Sequence, residues 1–143
     1  DGNIKAYYRD KPIRDKMQSD KTNKKLEQGQ YKKHVPGTHE FKQYQEKQER
    51  RGQYGPSYLT IDETETQELI DKYAGTGILT RGSDGRWLNE EIITTHHGDI
   101  GVAVDNRNGK EAPTSVFKIK YSPSGKGTHM IPDYPSKKGR KGK

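Results

Sequence analysis

Pro113-Thr-Ser-Val-Phe-Lys-Ile-Lys-Tyr-Ser-Pro-Ser-Gly-Lys-Gly-Thr-His-Met-Ile-Pro132 decides the fold. Side chains along a strand point alternately to its two faces. From Ser115 to Tyr121 that rule groups Ser115, Phe117, Ile119 and Tyr121 on one face and Val116, Lys118 and Lys120 on the other. The pattern is a half-buried strand with two lysines on its open side. Ser122 to Gly127 is turn-forming, and Thr128 to Ile131 returns as the partner strand, ended by Pro132.

More short strands lie upstream. Ile78–Thr80 and Arg86–Leu88 flank Gly82-Ser-Asp-Gly, the signature of a hairpin. Glu91–Thr95 and Ile100–Val104 are β-branched runs, the second closed by Asn106-Arg-Asn-Gly, and Ser57–Ile61 is a further extended piece. Between them, Asp62 or Thr60 caps a helix over Glu63–Tyr73 whose buried stripe is Leu69, Ile70 and Tyr73. Nearer the N-terminus, Phe41–Arg50 predicts a short polar helix and Asp20–Gln28 another that buries little, with a break at His34-Val-Pro-Gly. The expectation is an α+β fold: N-terminal helices packed on one face of a four- or five-stranded antiparallel sheet.

Composition limits how much of the chain can be core. Of 143 residues 26% are apolar, and 16 glycines still leave the total under the roughly 45–50% usual for a globular domain. Residues 1–30 are therefore expected as a polar, partly helical extension or linker, 31–135 as the folded domain and 136–143 as a disordered basic tail. The chain starts at Asp1 with no apolar leader and reads as a piece of something longer. No apolar run reaches the length of a membrane-spanning helix. Cysteine is absent, which excludes disulfides, thiolate nucleophiles and cysteine zinc sites.

Charge is segregated. Residues 1–60 carry 14 basic and 8 acidic side chains, 61–112 carry 5 and 11, and 113–143 carry 8 and 1. Two positive ends folded together would hold a polyanion on one face. Zinc-protease, calcium-loop and P-loop patterns are missing, and the neighbours His96 and His97 would point to opposite sides of a strand. No metal or cofactor is expected.

The remaining histidines carry more chemistry. His129 follows a glycine-rich turn, beside a strand that offers Lys118 and Lys120, while Thr128 points to the opposite face. His34 lies beside Lys33 and Thr38 at the Pro-Gly break. Two histidines with cationic and hydroxyl neighbours suit phosphodiester cleavage without a metal. One takes the proton of an RNA 2′-hydroxyl, the other protonates the leaving 5′-oxygen, and lysines or hydroxyls steady the phosphorane. Tyr121 or Tyr134 could stack a splayed base. DNA lacks the 2′-hydroxyl and would need a metal site.

Three blocks resemble the bacterial polymorphic toxin type 50 domain: Tyr31-Lys-Lys-His-Val-Pro-Gly-Thr-His-Glu-Phe, Glu68-Leu-Ile-Asp-Lys-Tyr-Ala-Gly-Thr-Gly, and Pro113 to Pro132. The resemblance implies a toxin of the barnase/EndoU/colicin/RelE-like group, whose members are metal-independent ribonucleases. It implies residues 31–135 as the ribonuclease domain, carried C-terminally on a larger toxin or phage protein. Such a protein is secreted or delivered by the producing bacterium and acts as a monomer on RNA, with tRNA one candidate, in the target-cell cytoplasm. A cognate immunity protein, acidic where it meets the positive ends, would neutralise it in the producer.

Carried onto this chain, the family's motifs fall on Lys33, His34, Gly37 and Thr38, on Thr114, on Tyr121 and Ser122, and on Thr128 and His129. His34 and His129 are then the expected acid–base pair, with Thr114, Lys118 and Thr128 as donors to the transition state. Lys33, Thr38, Lys120, Tyr121 and Ser122 would hold substrate. The turn Gly125-Lys-Gly127 is one residue longer than the family's, and Thr94-Thr-His-His-Gly is foreign to it. The alternative is a non-catalytic, basic RNA- or protein-binding domain of a phage or secreted protein, which would not need His34 and His129 to converge.

Overall fold

The computed structural model describes residues 2–136, so the basic run 137–143 lies outside the described residues. Four α-helices and seven strands follow one another: α1 Gly2–Gln18, α2 Gln28–Tyr31, a 3-10 turn Lys32–His34, α3 His39–Arg50, β1 Tyr58–Leu59, α4 Glu63–Tyr73, β2 Ile78–Arg81, β3 Trp87–Thr94, β4 Gly101–Val104, β5 Glu111–Thr114, β6 Val116–Tyr121 and β7 Thr128–Asp133. The class is α+β, but the strands form two antiparallel sheets rather than one. Four strands run in the order β2-β3-β6-β7 and three in the order β1-β4-β5.

The second sheet escaped prediction because of β5. Glu111-Ala-Pro-Thr has no apolar alternation, and Pro113 cannot donate to a ladder. On the outer edge of its sheet Pro113 needs no second partner and lies opposite Val102. Only Ser115 separates β5 from β6, so the chain turns from one sheet into the other within a residue. Thr114 pins that corner: its Oγ1 donates to the Asp133 carbonyl at 2.6 Å and accepts from the Val116 N–H at 3.0 Å.

Sheet and helices share one core. Phe117, Ile119, Tyr121 and Met130 from β6 and β7 join Leu69 and Ile70 of α4 and Met17 of α1. α4 starts where predicted, the Asp62 carboxylate accepting from the Glu65 N–H at 2.8 Å. α1 is tied down along one side, since Arg14 donates to the carbonyls of Gly75 and Gly77 and Arg81 grips Asp10 at 2.6 Å.

The helix expected over Asp20–Gln28 does not form. Its backbone is taken by the sheet: the Thr128 N–H donates to the Lys25 carbonyl and the Glu27 N–H to the Thr128 carbonyl, each at 2.8 Å. Gln67 completes the clamp by accepting from the Leu26 N–H and donating to the Lys24 carbonyl, both at 2.9 Å. Helix propensity is worth tenths of a kcal/mol per residue, so several tertiary hydrogen bonds override it.

Candidate nucleic-acid interface

The strand alternation that buries Phe117 and Ile119 leaves Lys118 and Lys120 on the opposite face. Register puts His129 directly across from Lys120, and Ile131 across from Lys118. α3 and the turn before it lie over this side. Thr38 builds that turn: its Oγ1 accepts from the Phe41 N–H and donates to the carbonyls of Lys32 and Val35. Capping α3 in this way sets His34 against β7.

The two histidines meet there. Their ring centroids lie 6.1 Å apart with planes 10° from parallel, and Tyr44 closes on His34 edge-on at 5.9 Å. His34 is only 5% exposed, and its Nδ1 lies 2.9 Å from the Ser57 carbonyl. A carbonyl only accepts, so Nδ1 carries the proton and Nε2 keeps its lone pair. Burial lowers the His34 pKa and the nearby Lys33 charge lowers it further, against the opposing pull of the Ser57 carbonyl. Burial, then His34, Lys120 and Lys33, push His129 down to about 3. Both imidazoles are neutral at pH 7 in the free protein.

A cleft of about 640 Å³ opens beside the pair. Lys33, Lys47, Arg51, Lys120 and Lys126 line it, with Glu27 the one acid among its lining residues. Lys33 reaches over the Tyr44 ring at 5.8 Å, and Ser122 also lines the cleft, its hydroxyl 2.9 Å from that of Ser124. Lys118 and Lys120 share the Glu90 carboxylate at 3.7 and 3.6 Å.

Thr114 and Thr128 do not join this face, and Tyr121 borders the cleft with its hydroxyl turned away from it. Thr128 is buried, and its hydroxyl donates to the Lys24 carbonyl at 2.9 Å. Thr114 is spent on the sheet corner. Tyr121 is 6% exposed on the core face, where its hydroxyl donates to Glu91 and burial raises its pKa. Thr38 acts through its cap. His96 and His97 stand apart, with His97 3.2 Å from Glu65 of α4, and His39 is exposed at the start of α3. Among the described residues no three His, Cys, Asp or Glu side chains gather as a metal site, and no helix is long and apolar enough to cross a membrane.

Sequence reasoning missed five contributors, one of them Lys126, which it read only as part of the turn before β7. Tyr44, Lys47 and Arg51 recur at three- and four-residue steps, so one face of α3 and its C-terminal end deliver them together, a pattern that was readable. Ser57, which fixes the His34 tautomer with a backbone carbonyl, carries no signal in its side chain.

Residues 26–132 match the model of the bacterial toxin 50 family, so the chain belongs to that family. The match begins at the Leu26 clamp and ends on β7. No curated protein and no solved structure matched the chain.

Proposed function

We propose that this toxin domain is an endoribonuclease that works without a metal ion. The reading rests on one observation, the facing of His34 and His129 across 6.1 Å beside a lysine-lined cleft. Nε2 of His34 takes the proton of a ribose 2′-hydroxyl. The 2′-oxygen bonds to the adjacent phosphorus, the bond from phosphorus to the 5′-oxygen breaks, and His129 gives its proton to that oxygen. The products are a 2′,3′-cyclic phosphate and a 5′-hydroxyl. Lys120 and Lys33 stand where charge develops on the phosphorane.

His129 must be protonated to act as the acid, and in the free protein it is not. A phosphate bound among Lys33 and Lys120 offsets the charges that depress it, so proton uptake accompanies substrate binding. Family membership supports delivery by a larger parent toxin or phage protein, action in the target-cell cytoplasm and neutralisation by an immunity protein. The lysine-lined cleft is the surface such a partner would cover, with acidic groups.

Total bacterial RNA incubated in EDTA with the parent, His34→Ala and His129→Ala proteins tests the reading. Cleavage by the parent with cyclic phosphate ends, and a loss of roughly 10²–10⁴-fold in each variant, is expected. Equal cleavage by both variants would remove the pair from the chemistry. RNA retained without cleavage would leave a binding domain instead.

A further inference from the structure

α3 stands between two clefts of opposite character. Tyr44 and Lys47 line the basic one, while Phe41, Gln45 and Glu49, at four-residue steps along the same helix, line another of about 580 Å³. Tyr58 of β1, Glu111 of β5 and Tyr54 of the loop before β1 wall its other sides. We propose that this cleft binds an organic cation with two charged ends, of the linear polyamine class. The proposal does not draw on the ribonuclease reading, and its test reads binding rather than cleavage.

Charge argues first. Glu49 and Glu111 are exposed, and no lysine, arginine or histidine lines the cleft with them. Among the described residues neither carboxylate has an ion-pair partner, although the chain carries a formal +7 and Asp10, Asp15, Glu90 and Asp105 are all paired. Glu111 accepts from the Tyr58 hydroxyl on Oε1 at 3.0 Å. Its other oxygen and both oxygens of Glu49 are left for a ligand that donates and carries positive charge. An RNA backbone is repelled here.

The walls beside the carboxylates are aromatic. Tyr54 is 54% exposed, and its ring lies against Gly109, where an added Cβ would come within 2.9 Å of it. The Tyr54 N–H donates to the Asn106 carbonyl at 2.9 Å, so the turn between β4 and β5 holds the residue in place. Phe41 and Tyr58 are half-buried and add their rings.

Aromatic faces attract alkylammonium groups and cover the methylenes that join them. A hydrated divalent metal gains little from such walls, and it takes six or more oxygen ligands where this cleft offers two carboxylates. Those two come from different elements, the helix and the second sheet. A monoamine neutralises one of them, whereas a diamine neutralises both and lays its methylenes on the rings.

NMR titration of the full chain at fixed ionic strength tests this, with 1,4-diaminobutane, 1-aminobutane and Mg²⁺ as probes. We expect the diamine to shift the signals of Tyr54, Tyr58 and Gly109 saturably, about 5-fold more tightly than the monoamine, with Mg²⁺ leaving them in place. Glu49→Gln, at an exposed helix position that folding does not need, and Glu111→Gln should each remove that advantage. Tyr54→Ala should weaken both amines. Equal affinity for the two amines, shifts spread evenly over the acidic residues of α4, or a diamine affinity unchanged in Glu49→Gln would overturn the proposal. So would a Gly-Arg-Gly peptide that binds here when the diamine does not, which would assign the cleft to a partner's side chain.

Discussion

His34 and His129 face each other with ring planes 10° apart, and His34 is among the groups that hold His129 unprotonated. Burial comes first, and Lys120 and Lys33 add to it, so the pKa of His129 falls from an ordinary 6.5 to about 3. The consequence for stability has a definite sign. Above pH 6.5 folded and unfolded chains both carry neutral His129. Between 6.5 and about 3 only the unfolded chain takes the proton, and stability falls by up to about 1.4 kcal/mol per pH unit. His129→Gln cannot titrate. Its melting temperature should therefore drop less than the parent's between pH 7 and pH 5, by thermal denaturation at fixed salt. Parallel curves for the two proteins would contradict the burial of a neutral His129.

Thr114 and Thr128 separate architecture from chemistry. Their hydroxyls donate to the carbonyls of Asp133 and Lys24, away from the histidines. Valine keeps their shape and removes the donor. Thr114→Val and Thr128→Val should each cost about 1–3 kcal/mol in urea unfolding. On RNA, the fraction that remains folded should cut at the parent's rate. A large drop in rate with stability intact would return them to the donor role that the family resemblance implies.

The difference between what the residues announced and what they did follows from where information is local. β6 and β7 alternate in sequence, so their pairing and the facing of Lys118, Lys120 and His129 were readable. So was α4, capped by Asp62. The Leu26 clamp was not, because residues 25–27 are bound by Thr128, a hundred positions away in the chain and silent about it. The corner at Ser115 was hidden for a similar reason: Thr114 acts through backbone atoms that no side-chain pattern marks. The same limit applies to the histidines. Their types and neighbours suggested a pair, while the proton position on His34 depends on the Ser57 carbonyl.

Glu91 offers a test of the core alone. It is fully buried, and its carboxylate accepts from the N–H groups of Gly75 and Gly77 at 2.9 and 2.7 Å and from the Tyr121 hydroxyl. These donors lock the end of α4 and the start of β2 to β3. Glu91→Ala strips all three of their acceptor and opens a cavity, for an expected loss of about 3–5 kcal/mol. Tyr121→Phe removes one hydroxyl and should cost about 1–3 kcal/mol. Urea unfolding measures both. A Tyr121→Phe protein that unfolds with the parent yet loses RNA cleavage would put Tyr121 back at the substrate.

Gly127 links the long turn to the site. Its φ of +134° is one that other residues rarely adopt, and an added Cβ would overlap the Lys25 carbonyl and crowd Glu27. That carbonyl is the acceptor for the Thr128 N–H, so Gly127→Ala must displace either the clamp or the first residues of β7. His129 is two positions on, with no slack between. The variant should lose about 2 kcal/mol or more of stability and also weaken the pairing of the histidines. NMR titration of the imidazoles reads the second effect. A His129 relieved of burial and of His34 should titrate nearer 6.5 in Gly127→Ala than in the parent. An unchanged His129 in a destabilised protein would mean that the strain is absorbed by residues 25–27, leaving the site insulated from the turn that precedes it.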